Sequence, residues 1–166
     1  MKSLRERVGA VAPALSAVLA SALALGGLTA WTAAGAAGSP ARPEVTRARL
    51  LQPFAGREST AVVFTVVNSG GSDDRLTSVT SPAITGAMLS QDADAGASAA
   101  RMRMLRSVRV PARGVLEMTP YGTDVMVELR EPVRLGQRVP FTLHFEWSRP
   151  VTVEALVVRH AQWASR

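Results

Sequence analysis

Two pairs of residues in the second half of this 166-residue chain could place metal-binding atoms on one surface. Met102 and Met104 are separated by one residue, and so are Asp124 and Met126. In a strand, residues at this spacing project from the same face. Thioether sulfur favours soft ions such as Cu(I), whereas a carboxylate oxygen suits Cu(II) or harder ions.

The segments around these pairs resemble the core of the PCu(A)C-type periplasmic copper chaperones. The resemblance covers nearly all of the chain from residue 45 to residue 154. The segments that carry it are 60–68, Asp74-Arg-Leu76 with Ser81-Pro82, Met102-Arg-Met104, the turn 110–114 and Asp124-Val-Met126. In that family a histidine ends the strand after the Ser-Pro, a methionine of a Met-x-Met follows, and a His-x-Met closes the site.

This chain departs from the family pattern at both histidines. Ser90 aligns with the first and Asp124 with the second, whereas Met104 and Met126 align with the family's methionines. The resemblance implies acceptance of Cu(I) outside the membrane and its delivery by ligand exchange to a cuproenzyme such as cytochrome oxidase. It implies no catalysed chemical step.

Methionine sulfur is therefore the donor that remains. Met88 lies two residues before Ser90 and shares its face in a strand. The hypothesis is a weak Cu(I) site made by Met88, Met104 and Met126, with Met102 or Asp124 in reserve. The alternative is that these methionines fill gaps or cover an exposed apolar patch. The domain would then be a metal-free binding or assembly module of the cell envelope.

Three other candidate ligands are expected to have structural roles. Met118 alternates with Leu116 and is predicted to be core. His144 falls on the outer face of its strand and is predicted to be exposed to solvent. His160 lies in a C-terminal tail that could fold back, although termini are usually poorly ordered.

The densest basic cluster surrounds the methionine pair. It consists of Arg101, Arg103, Arg106, Arg109 and Arg113. No aromatic residue is interleaved for base stacking, which argues against nucleic acid. The cluster is either a solvated hairpin face or a docking surface for an acidic partner or for anionic headgroups.

Motifs of enzymes are absent from the sequence. It has no G-x-S-x-G, no H-E-x-x-H, no P-loop and no cysteine. Asp92 and Asp94 alternate as calcium ligands do, but the glutamate that ends an EF-hand loop is missing, so a solvated loop is predicted.

The N-terminus is predicted to be an export signal. Three basic residues in 1–7 precede an uncharged stretch from residue 8 to residue 41. Residues 1–36 are either a signal peptide, cleaved near Ala34-Gly-Ala36, or a retained membrane anchor. Residues 37–43 would be a linker. Both alternatives place the remainder at the periplasmic or extracellular face of the membrane, and the lack of cysteine excludes lipid attachment to a thiol.

The elements that must position the candidate ligands are strands. Short β-branched runs recur about every ten residues. This pattern predicts an all-β, cupredoxin-like or immunoglobulin-like antiparallel sandwich over 44–159. One hydrophobic helix would precede the sandwich, and a tail at 160–166 would follow it. In 139–147, alternation predicts that Val139, Phe141, Leu143, Phe145 and Trp147 face the core. Glycines at the turns 68–74, 111–114 and 120–122 are predicted to allow positive φ. The predicted runs are 45–51, 61–67, 76–79, 86–89, 101–105, 115–118, 124–129, 141–147 and 151–158.

Overall fold

The computed structural model describes residues 4–33, 38–93 and 101–162. The chain divides into two units, Met1–Ser39 and Pro40–Arg166. The first contains the helix α1 (Leu4–Ala33). No helix among the described residues has both the length and the hydropathy of a membrane span. The predicted cleavage site at 34–36 lies outside the described residues, so the choice between signal and anchor stays a prediction.

The second unit is built from strands, and each predicted run overlaps one of them. A tenth strand, Val108–Val110, was not predicted because three residues are too few to show alternation. A short 3₁₀-helix (His160–Gln162) follows the last strand. The strands are β1 (Pro43–Leu51), β2 (Ser59–Asn68), β3 (Asp74–Thr80), β4 (Ile84–Ala93), β5 (Arg101–Leu105), β6 (Val108–Val110), β7 (Gly114–Glu117), β8 (Thr123–Leu129), β9 (Arg138–Phe145) and β10 (Val151–Val158).

The strands pair in the order β5-β4-β8-β2-β1-β10-β9-β3-β6, and β7 also pairs with β2. Of the described pairs, β1 with β10 is parallel, in the register Arg49↔Leu156, and the others are antiparallel. The predicted all-β architecture with one N-terminal helix is confirmed. The strands β5 and β6 end the order at its two sides, and two residues join them.

The core lies between the inner faces of these strands. Phe64 and Phe141 meet edge to face, with ring centroids 6.0 Å apart. Fully burying an aliphatic or aromatic side chain of this size contributes about 1.5–3 kcal/mol. The predicted core positions Val139, Phe141, Leu143 and Phe145 are buried. The other large, fully buried side chains are Leu50, Leu51, Leu76, Val62, Val66, Val110, Val125 and Val127.

The prediction for Trp147 is wrong, because its side chain is 76% exposed. Strand β9 ends at Phe145. The buried carboxylate of Asp74 then accepts the backbone amides of Trp147 at 3.1 Å and of Ser148 at 3.0 Å. These two amides therefore bind a carboxylate instead of continuing a ladder, and the alternation of β9 does not reach Trp147.

The prediction of positive φ at the turn glycines is also wrong. In the turn 111–114 the residue with positive φ is Arg113, at 50°, whereas the φ of Gly114 is not positive. Gly70 is required for a different reason, because an added Cβ would lie 2.0 Å from the carbonyl oxygen of Pro40. The close approach of the Pro40 backbone therefore explains the glycine at position 70, in the turn 68–74.

Candidate metal centre

Three adjacent strands, β5, β4 and β8, carry the predicted ligands on one sheet face. The register pairs Ser90 of β4 with Met104 on one side and with Asp124 on the other. Met88 pairs with Met126 in the next row. Directly opposite residues project from the same face of a sheet, so these five side chains share the outer face. The inner face of the same strands carries Leu89, Leu105 and Val125.

Row spacing separates a central set of thioethers from a peripheral one. Same-face rows are about 7 Å apart along a strand. Met104 lies one row from Met88 and Met126, whereas Met102 pairs with Asp92 and lies two rows away. Diagonal neighbours about 7–8 Å apart are within reach of long side chains. Met88 therefore lies directly opposite Met126 and diagonal to Met104, whereas Met104 and Met126 are separated by β4.

The thioethers of this face are accessible. Met104 is 68% exposed, Met102 56% and Met88 48%, while Met126 is half-buried. Met88 and Met104 also line a cavity of about 150 Å³ between β4, β5 and β3. Its far wall is formed by Thr77, Ser78 and Val79. Nothing in the sequence pointed to this wall, because the approach of β3 to β4 involves no strand pairing.

The oxygen donors in the same row are engaged with each other. Ser90 and Asp124 are buried, and the Ser90 hydroxyl donates a hydrogen bond to Asp124 Oδ1. Burial raises the pKa of Asp124, the hydrogen bond from Ser90 opposes that rise, and the charge of Asp92 adds to it. The oxygens at both positions are therefore hard donors, they are buried, and they already share a hydrogen bond.

The donor set suits a soft, monovalent ion. Within the described residues, no group of three or more His, Cys, Asp or Glu side chains could hold a metal. The accessible donors are neutral thioethers, which Cu(I) accepts and harder ions do not. A metal on this face must therefore depend on sulfur.

The two imidazoles lie outside the three-strand face. His144, on β9, is half-buried and hydrogen-bonded to the hydroxyl of Thr80 at 2.9 Å, so the prediction of a solvent-exposed side chain holds only in part. His160 stacks on Phe54 with ring centroids 4.4 Å apart. The described part of the tail, His160–Gln162, does fold back, because Arg49 donates to the carbonyl oxygen of Gln162 at 2.7 Å.

Met118 is 2% exposed and packs in the core, as predicted.

The basic cluster is only partly neutralised. Arg109 donates to Asp73 at 2.7 and 2.8 Å. The backbone amide of Ala112 and then the Arg109 side chain lower the pKa of Asp73. Arg103 and Arg106 are exposed and form no ion pair within the part of the chain that the structure describes. The side chain of Arg101 and the position of Asp94 lie outside the described residues.

Comparisons with known proteins agree with this architecture. The family model LpqE-like, described as "Putative lipoprotein LpqE-like", matches residues 42–157. No curated protein matches the chain.

Solved structures of PCuAC domains resemble the sandwich. The solution structure of CuI-DR1885 from Deinococcus radiodurans is 28% identical with a TM-score of 0.58, and the match covers 76% of this chain and 83% of that one. The copper-bound PCuAC domain from PmoF2 is 22% identical with a TM-score of 0.59, covering 74% and 97%. The apo PCuAC domain from PmoF1 is 21% identical with a TM-score of 0.60, covering 74% and 98%.

The resemblance to PCu(A)C-type proteins predicted from the sequence is confirmed, whereas the alignment of Ser90 and Asp124 with the family's histidines stays a prediction. Because the matching family model spans most of the sandwich, this chain belongs to the LpqE-like family and has the fold of PCuAC domains.

Proposed function

We propose that this protein binds Cu(I) weakly through the thioethers of Met88, Met104 and Met126 and carries it to another protein outside the cytoplasm. One observation carries the proposal: Met104 lies in the row next to the Met88↔Met126 pair on one exposed sheet face. Two of the similar structures are a copper-bound PCuAC domain and a Cu(I)-bound protein.

Transfer would proceed by ligand exchange. Neutral thioethers at an exposed site hold the ion weakly, so a better-ligated acceptor can take it one ligand at a time. Met102 or Asp124 would serve as a reserve ligand while the central set is being exchanged. The acceptor would be an envelope cuproenzyme such as cytochrome oxidase. Only metal–ligand bonds change, so the protein would not be an enzyme.

The protein would act at the periplasmic or extracellular face of the membrane. The basic N-terminus, the uncharged stretch after it and the lipoprotein description of the family support export. The N-terminal segment would be either removed or retained as the anchor. Intact-mass analysis of the exported protein distinguishes the two, since cleavage removes about 36 residues.

A competition titration with a Cu(I) chelator tests the site. We expect one site, weakened when Met104→Leu and Met126→Leu are combined, because leucine keeps the apolar volume and removes the sulfur. The matched control is Met118→Leu, at a buried methionine of the core. If the double substitution left the binding isotherm unchanged, Met104 and Met126 would not be ligands of the ion.

A metal-free binding or assembly module is the second candidate. It is favoured by the Ser90–Asp124 hydrogen bond, which satisfies the oxygens of both positions without a metal. Thermal unfolding with and without Cu(I) separates the candidates. A ligand bound only by the folded state adds about 2.7 kcal/mol at a hundredfold excess over Kd. The absence of a shift would favour the metal-free module.

A further inference from the structure

An apolar patch occupies the edge of the sheet. Met88, Met102 and Met104 are all about half exposed or more, on the adjacent strands β4 and β5. Strand β5 ends the strand order, so β4 is its neighbour on one side and its other edge is unpaired within the described residues. Methionine and arginine are enriched in protein–protein interfaces relative to the rest of a surface.

Two uncompensated cations flank this patch. Arg103 and Arg106 are exposed and have no carboxylate partner in the described ranges. Two carboxylates, one before β3 and one after β9, are already engaged with other arginines. Asp73 binds Arg109, and Glu146 lies 3.8 Å from Arg75. Asp92 of β4 lies opposite Met102, so the two arginines leave the edge one positive charge in excess.

The cations approach the edge from both faces of the sheet. Arg103 has the opposite parity to Met102 and Met104, so it projects from the other face of β5. Arg106 follows β5 directly. An extended segment lying along the edge would meet arginine on both of its sides. A flat lipid surface could contact only one face of this strand.

We infer that the methionine–arginine edge, formed by Met88, Met102, Met104, Arg103 and Arg106, docks an extended acidic segment of a protein partner. Carboxylates of the segment would pair with Arg103 and Arg106, and its backbone would run along the free edge of β5 in the manner of an added strand. The inference rests on the proposed function and names the acceptor's class, since docking here brings its ligands next to the exposed thioethers.

Fluorescence anisotropy of the metal-free full chain tests this inference. The probe is a labelled peptide in which glutamate alternates with methionine, compared with the same peptide carrying glutamine in place of glutamate. We expect the glutamate peptide to bind more tightly at low salt. The advantage should vanish near 1 M salt, where charges are screened beyond about 3 Å.

Charge reversal locates the surface. Arg103→Glu with Arg106→Glu should weaken binding of the glutamate peptide about tenfold, as expected for the loss of two exposed ion pairs. The matched control is Arg134→Glu with Arg138→Glu, which changes the net charge equally at exposed positions before and at the start of β9. The pair Arg103→Gln and Arg106→Gln gives a milder test, and circular dichroism verifies that each variant folds.

Three results would overturn the inference. These are equal binding of the two peptides, equal loss in the control pair, or stronger Arg103- and Arg106-dependent binding to phosphatidylglycerol vesicles than to the glutamate peptide. Peptide binding is measured without metal. Failure of the copper proposal would therefore appear as a flat Cu(I) titration with the peptide preference intact, and failure of the docking surface as the reverse.

Discussion

Ser90 and Asp124 lie directly opposite each other on β4 and β8, and the serine hydroxyl donates a hydrogen bond to the aspartate carboxylate. Met104 occupies the same row on β5. These two positions, whose alignment with the family's histidines stays a prediction, therefore carry oxygens that bind each other, beside a methionine that is exposed.

Replacing this oxygen pair with imidazoles should strengthen Cu(I) binding. The variant is Ser90→His with Asp124→His. Because imidazole is a better ligand for Cu(I) than hydroxyl or carboxylate oxygen, we expect at least a tenfold gain in affinity, equivalent to about 1.4 kcal/mol. A chelator competition titration measures it.

A histidine pair without nearby thioethers provides the control. Thr142 and Thr152 are directly opposite each other on β9 and β10. If Thr142→His with Thr152→His gained as much affinity, the methionines would have no part in the effect. Thermal unfolding of both variants verifies that the larger side chains are accommodated, since Ser90 is buried.

The free energy of unfolding should fall as the carboxyl of Asp124 ionises. Burial, the largest cause, raises the pKa of Asp124 above its ordinary value of 3.8. The folded state therefore favours the protonated form, and this stabilisation is complete below pH 3.8 and is lost as pH rises through the folded-state pKa. Asp124→Asn should remove that loss. Urea unfolding of the metal-free protein across this pH range measures the difference.

Asp73 should show the opposite dependence. Its pKa is lowered by the amide of Ala112 and by Arg109, so its contribution is present above pH 3.8 and is lost as pH falls through the folded-state pKa. The same urea series on Asp73→Asn therefore controls for the direction of the Asp124 effect. A pH slope at Asp124→Asn identical to that of the unaltered protein would contradict the burial of its charge.

Removing the Asp74 carboxylate should destabilise the domain severely. Its oxygens accept the amides of Arg75, Trp147 and Ser148. Hydrogen bonds to charged groups contribute about 1.5–3 kcal/mol each, and they are not additive, so Asp74→Ala should cost about 3 kcal/mol or more. Asp74→Asn keeps one acceptor oxygen and should cost less. Urea unfolding ranks the two, and equal losses would contradict the role of the second oxygen.

Methionines of the core and of the outer face should respond differently to truncation. Met118→Ala should cost about 2–5 kcal/mol because it leaves a cavity in the core. Met104→Ala, at an exposed position, should change the free energy of unfolding by less than about 0.5 kcal/mol. Denaturant titration compares them. A large loss at Met104 would mean that it packs as the core methionine does.

Local patterns in the sequence were sufficient to predict most strands and the shared faces. Parity placed Met102 with Met104, and Asp124 with Met126, because side-chain direction in a strand depends only on spacing. The same rule was wrong at Trp147, since Asp74 is 73 residues away and its effect on the end of β9 has no local signature. Strand β6 was too short to predict.

The arrangement of the site required the fold. Sequence spacing could not show that β4 lies between β5 and β8, nor that Ser90 meets Asp124 across 34 positions. The relative position of the thioethers is likewise a property of register: Met88 lies opposite Met126 and one row from Met104, whereas Met102 lies two rows from that pair. The need for glycine at position 70 likewise comes from the close approach of the Pro40 backbone, which the local sequence does not show.

The parallel pairing of β1 with β10 has a consequence for biogenesis. The first strand of the sandwich acquires this neighbour only when residues 151–158 have left the ribosome. Until then β1 and β9 each retain an unpaired edge, which favours aggregation. Contacts between residues so distant in sequence also make folding slow. The domain should therefore complete its fold only after residue 158 has emerged, and a chain that stops before residue 151 should be prone to self-association.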